Sequence, residues 1–228
     1  MPAPIIDRRL VLAGAAALSA SGAVAQTSDS AVTAFAPTPR PLPFDPTKIA
    51  GLSERLLTSH HDNNYVGVVK RLGSIDAALA GLDPTNAPVF TLNGLKREEL
   101  IAWNSMILHE LYFENLGAPS APGAKLSAAL ERDFGSLKLW TAQFAAMGKA
   151  LGGGSGWVVL TYSHRDRRLM NQWAADHTMS LASSSPILVM DMYEHAYAID
   201  YGAKAAAYVD AFMAAINWPA ADARFERV

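Results

Sequence analysis

The sequence predicts an α+β protein: a long antiparallel helical hairpin, then a C-terminal α/β domain carrying a small antiparallel three-stranded sheet. Three observations predict it. Apolar residues recur at helical spacing through two long stretches of the first half. A glycine-rich break then precedes three short apolar segments of strand character. Half of the 228 residues are hydrophobic and 18% are charged, the composition of a folded chain with ample core.

The chain opens with Arg8 and Arg9, an apolar run from Leu10 to Ala20, and the small residues Ala23-Val24-Ala25 before Gln26. That order of parts is a secretory signal peptide over residues 1–25, the apolar run being too short to span a bilayer. The paired arginines followed by Leu10-Val11-Leu12 resemble a twin-arginine signal, which implies export, in a bacterium to the periplasm. No stable membrane anchor is expected once the signal is removed. Residues 26–43, rich in Thr, Ser, Ala and Pro, read as an extended arm.

The hairpin domain is expected over 44–122. Leu52, Leu56, Leu57, Val68, Val69, Leu72, Ile75 and Leu79 define a first helix that ends at Asp83-Pro84. Residues 84–94 read as a loop. A second helix runs from about Lys96 to Leu116 and closes at Gly117 and Pro119. In the C-terminal domain, 123–228, helices are expected at 125–134 and 136–151. Strands follow at 157–162, 169–174 and 187–190, the last running into one helix from about Tyr193 to Ile216.

Composition narrows the chemistry. Nineteen basic residues against 21 acidic ones give no surplus of cations for phosphate, so no nucleic-acid partner is expected. The absence of cysteine excludes disulfides, zinc ribbons, iron–sulfur clusters and thiol nucleophiles. A metal here needs histidine and carboxylate, and there are only six histidines.

Asp191 and His195 form the sharpest local feature. In a helix beginning at Asp191 they would share a face; Asp191 is equally suited to helix capping, and His195 to packing in a core. His109 lies among apolar residues mid-helix, where an imidazole bonded to a backbone carbonyl is the plain alternative to a ligand. His60 and His61 point about 100° apart, so one at most faces the hairpin interior. His177 follows the second strand. His164 belongs to a turn.

Together these pieces resemble the iron/manganese superoxide dismutase family across residues 42–218. The residues that carry the resemblance are Leu42-Pro43-Phe44, Ser59-His60-His61, His109-Glu110-Leu111-Tyr112-Phe113, Gly154-Ser155-Gly156-Trp157, Asp191-Met192-Tyr193-Glu194-His195-Ala196-Tyr197, Tyr208 and Asn217-Trp218. The resemblance implies a superoxide dismutase that converts superoxide to dioxygen and hydrogen peroxide by one-electron cycling. One iron or manganese ion per subunit would be held by His60, His109, Asp191 and His195, with His61 as the alternative first ligand. It implies His177 as partner of the metal-bound solvent, with Gln172 as runner-up, because Ser105 is too short for that task. Trp157 and Tyr197 would support the site. Lys204 would attract the anionic substrate. Glu194 would reach the ligand histidine of a second subunit in a homodimer, with a tetramer as the alternative.

There are departures. Val68 stands where the family has a gateway tyrosine, and Tyr65, one turn earlier, is the expected substitute in catalysis. Tyr193 replaces the tryptophan of the signature, and Val159 replaces a second tryptophan. A metal-binding protein of the same fold with little dismutase activity is the competing reading. A mononuclear oxygenase, with two histidines and one carboxylate, fits three imidazoles poorly.

Overall fold

The computed structural model describes residues 33–228, so the expected signal peptide and the start of the arm lie outside the described residues. Residues 33–42 have no regular secondary structure and lie against the hairpin. Phe35 stacks on Trp103 with ring centroids 4.9 Å apart, and its N–H is bonded to Asp76.

The first helix of the hairpin begins at α1 (Glu54–Ser59), where the Ser53 hydroxyl caps the Leu56 N–H at 3.1 Å. A π-helical turn, His60–Tyr65, interrupts it before α2 (Val66–Ala80). Such turns are uncommon and concentrate at functional sites. Val69, Leu72 and Ile75 of α2 face α3 (Val89–Glu114), which buries Ala102, Ser105, Met106, His109, Tyr112 and Phe113 at three- and four-residue steps.

α3 starts seven residues before the expected Lys96, so the loop predicted over 84–94 is shorter. The Pro88 carbonyl accepts from Thr91 and Leu92 and begins the helix. Val89 and Phe90 are 83% and 77% exposed, so this first turn carries no apolar periodicity to read.

α4 (Ala124–Phe134) and α5 (Leu137–Ala150) match expectation and lie against the sheet. The sheet comprises β1 (Trp157–Ser163), β2 (Arg168–Ala174) and β3 (Ser184–Asp191), antiparallel, in the order β2-β1-β3. Trp157 pairs with Asp191 across β1 and β3, which sets the first strand residue beside the last one. Gly156 makes this possible. Its φ is +132°, and a Cβ there would lie 2.1 Å from the Ala174 carbonyl oxygen. Its own carbonyl accepts from the Met192 N–H at 2.9 Å, which pins the chain just past Asp191.

The single helix expected from Tyr193 to Ile216 is divided. A 3-10 turn at Glu194–Ala196 precedes a short α6 (Ala198–Tyr201) and then α7 (Ala205–Ala214). Gly202, at φ +53° and ψ −125°, separates the last two. A final helix, α8 (Trp218–Phe225), has no counterpart in the sequence reading. The halves share one core: the Asn115 amide on α3's C-cap donates to the Val189 carbonyl of β3 at 3.0 Å.

Candidate metal centre

Four side chains from four places in the chain converge. His60 comes from the π-turn, His109 from α3, Asp191 from the end of β3 and His195 from the 3-10 turn. One donor atom of each lies within 4.8 Å of all the others. Asp191 Oδ2 is 3.1 Å from His60 Nε2, 3.2 Å from His195 Nε2 and 3.6 Å from His109 Nε2. The two Nε2 atoms of His109 and His195 are 3.4 Å apart. Donors about 2.1 Å from a shared centre and 90–120° apart stand about 3.0–3.6 Å from each other, so these separations suit one transition ion.

The local chemistry agrees. His60 is buried, and apart from the Asp191 carboxylate in the cluster neither of its ring nitrogens has a polar partner among the described residues. An orphaned buried imidazole is costly unless something else coordinates it. His109 Nδ1–H donates to the Ser105 carbonyl at 2.6 Å, which leaves the Nε2 lone pair directed into the cluster. The backbone-bonded role and the ligand role therefore belong to opposite edges of one ring. Asp191 does not begin a helix: it ends β3, and its Oδ1 accepts from the Tyr193 N–H at 2.8 Å. Oδ2 is thereby left for the cluster.

The protonation states of His60, His109 and Asp191 suit coordination. Burial, with His60 alongside, pushes His109 down to about 3. Burial likewise holds His60 below the ordinary histidine value. Burial would raise Asp191, but His195 and His60 beside it outweigh that and hold its carboxyl well below the usual range. For His195 burial pushes down, and the Asp191 charge more than compensates and raises it.

Residues 122–224 match the family described as "Iron/manganese superoxide dismutases, C-terminal domain". A "Superoxide dismutase [Fe]" of Cupriavidus metallidurans is 64% identical over 82% of this chain and 94% of that protein. The chain belongs to the iron/manganese superoxide dismutase family. More distant members include "Superoxide dismutase [Mn] 1" of Halobacterium salinarum, 32% identical over 82% of this chain and 94% of its own length. A "Superoxide dismutase [Fe]" of Aquifex pyrophilus is 32% identical over 80% of this chain and 88% of its own length.

Other residues of this dismutase divide between the site and elsewhere. His177 lines the opening onto the cluster together with His109 and His195. Its Nδ1 accepts from the Trp157 indole N–H at 3.0 Å, so in the neutral ring Nε2 carries the proton. Burial keeps His177 below the ordinary histidine value. Trp157 is fully buried and meets the His109 ring edge-on at 5.2 Å. Tyr197 is buried, stacks on Tyr208 and accepts from the Gly153 N–H at 3.3 Å. Glu194 is exposed.

His61 is not in the cluster. It faces the arm, with Nε2 bonded to the Arg40 carbonyl at 2.8 Å, and is half-buried rather than solvated. Gln172 is also elsewhere: its amide spans Met179 and Leu181. Tyr65, expected at the entrance, turns away from it. Its hydroxyl donates to Glu110 Oε1 at 2.9 Å and accepts from the Arg40 N–H at 2.9 Å. The π-turn is the reason, because it rotates Tyr65 off the regular helical register. Lys204 is exposed at the start of α7 and does not line the opening; the cation that does is Arg71, paired with Glu98.

Sequence reasoning also missed what Tyr193 does. Its ring lies parallel between His177, at 4.9 Å, and His195, at 5.4 Å. The only signal was its place in the signature, where it appeared as a departure.

Proposed function

We infer that this chain removes superoxide at one iron or manganese ion held by His60, His109, Asp191 and His195. The observation that carries the inference is the convergence of three imidazoles and one carboxylate, with His60 lacking any other polar partner. Magnesium and calcium favour all-oxygen sites, so this donor set favours a redox-active transition ion. When bound, such an ion supplies the one-electron exchange by which one superoxide becomes dioxygen and a second, taking two protons, becomes hydrogen peroxide.

The chain's own residues set the conditions. Two of the ligands, His109 and His195, line an opening of about 380 Å³ walled by Asn63, Asn64, Gly67, Val68, Arg71 and Ile101 among others. A small anion fits there. Val68 offers no proton, so the residue able to hold one at the opening is His177, through Nε2–H. The Trp157 indole fixes that tautomer, and Tyr193 fixes the plane of the ring.

Iron is the better-supported metal, being named in the relative at 64% identity. The enzyme acts after export as a homodimer. Support for the dimer is the exposed Glu194 beside a half-buried His195, as the family resemblance requires. Support for export is the order of charge, apolar run and small residues over 1–25.

Elemental analysis and superoxide removal by the purified protein test the reading together. One iron or manganese per chain with measurable turnover is expected. A loaded but inert protein would instead favour the metal-binding alternative. His60→Ala should empty the site while His61→Ala retains the metal; the reverse would displace His60 from the ligand set.

A further inference from the structure

Tyr65 has no place at the entrance, yet it is 1% exposed and its hydroxyl makes two hydrogen bonds. Its partners are informative. Glu110 follows the ligand His109 on α3, and it also pairs with the Arg40 guanidinium at 3.1 Å. Arg40 in turn offers its carbonyl to His61, which follows the ligand His60. One buried phenol thus ties together the chain neighbours of both hairpin ligands and the extended arm. These groups surround a small cavity of about 60 Å³ that Phe113 also lines.

The need for such a tie is visible at His60. Outside the cluster neither nitrogen meets a polar group among the described residues, the Asp191 carboxylate at 3.1 Å from Nε2 being its one polar contact. Beyond the other cluster members, packing against Tyr112 and Phe113, at 5.0 and 5.1 Å, and the course of the π-turn hold it. That turn opens at His60 and closes at Tyr65, so the ring's direction is set by a backbone whose far end the phenol anchors. We propose that Tyr65 is a positioning residue for the metal, clasping the π-turn to α3 through Glu110 so that His60 and His109 stay at one coordination distance.

The inference rests on the metal-centred function above. It assigns the arm a part as well: Arg40 supplies the second bond to the phenol, so residues just ahead of Pro43 belong to the support of the site.

The test uses the full chain loaded with its iron or manganese and challenged with excess EDTA, with the metal remaining measured over time. The electronic absorption and paramagnetic resonance spectra of the bound ion are recorded alongside. Tyr65→Phe keeps the ring and removes the bond. It should release metal about tenfold faster, the scale expected for losing one buried hydrogen bond that supports a ligand, and should shift the spectra. Glu110→Leu removes the same bond from the other side and must do the same; it serves the test alone should Tyr65→Phe fail to fold. Glu110→Gln keeps an acceptor for the phenol and should stay within about threefold of the wild-type rate, because an ion pair whose Arg40 partner is largely exposed contributes little.

Wild-type release and unchanged spectra in Tyr65→Phe would overturn the proposal. So would a Glu110→Gln protein as leaky as Glu110→Leu, because charge rather than the phenol would then be responsible. A wild-type protein that holds no iron or manganese would instead remove the function on which the proposal stands.

Discussion

Acidifying the metal-free protein should destabilise it well above the pH at which its carboxylates titrate. His109 is 2% exposed, and its folded-state value is pushed from 6.5 down to about 3. Below pH 6.5 the unfolded chain therefore takes up a proton at this residue and the folded chain does not. Stability is fully present above 6.5 and is lost as pH falls towards 3. A full proton of difference corresponds to about 1.4 kcal/mol per pH unit. Between pH 6.5 and pH 5 His109 alone accounts for about 1.5 kcal/mol. His60 and His177, also lowered by burial, act with the same sign.

Two neighbours do not cancel this. His195 is raised, so its contribution is present below 6.5 and lost only as pH rises through its folded value. Asp191 is depressed, so its contribution is present above 3.8 and lost below it. Both are nearly flat between pH 5 and 6.5. The assay is urea or thermal unfolding of the chelated protein across that interval. A protein of this size should lose roughly 3–6 °C in Tm from the His109 contribution alone. His109→Gln should remove about one proton's worth of the slope. Constant or rising stability from pH 6.5 to 5, or a full slope in His109→Gln, would refute the reasoning.

The remaining predictions concern the support of the site. His177→Ala should retain the metal but lower turnover and change its pH profile, read by metal content beside a superoxide assay. Trp157→Phe, which removes the indole donor to His177 and leaves a smaller buried ring, should change turnover in the same direction by a smaller factor. Gly156→Ala should destabilise the fold by at least about 2 kcal/mol in denaturant unfolding, because positive φ and a Cβ contact at 2.1 Å add to one another.

The four ligands were legible in the sequence for different reasons. Asp191 and His195 belong to one short signature, and His109 to another. His60 follows from the family resemblance, with His61 as the alternative, and the structure seats His60 in the cluster. The strands were legible because β1 and β3 each carry a continuous apolar run, Trp157 to Leu160 and Ile187 to Met190, with a glycine-rich break ahead of β1. The start of α3 was not, because Val89 and Phe90 face outward. The break at Gly202 was not, because alanines on either side of it continue the apolar pattern across the gap.

Tyr65 shows where spacing alone misleads. In a regular helix Tyr65 and Val68 share a face, and five residues separate His60 from Tyr65 by about 140°. On that geometry Tyr65 lies one turn from the entrance and well away from the buried side. The π-turn inserts its wider bonding, Val66 N–H to His61 carbonyl, between the two. His60 and Tyr65 both become buried, and Val68 reaches the opening without the phenol near it. No side-chain periodicity marks that turn, since His-His-Asp-Asn-Asn-Tyr is polar almost throughout. The same insertion therefore decides two matters at once: it leaves an entrance lined by Val68 and His177 rather than Tyr65, and it seats Tyr65 against Glu110 behind His109.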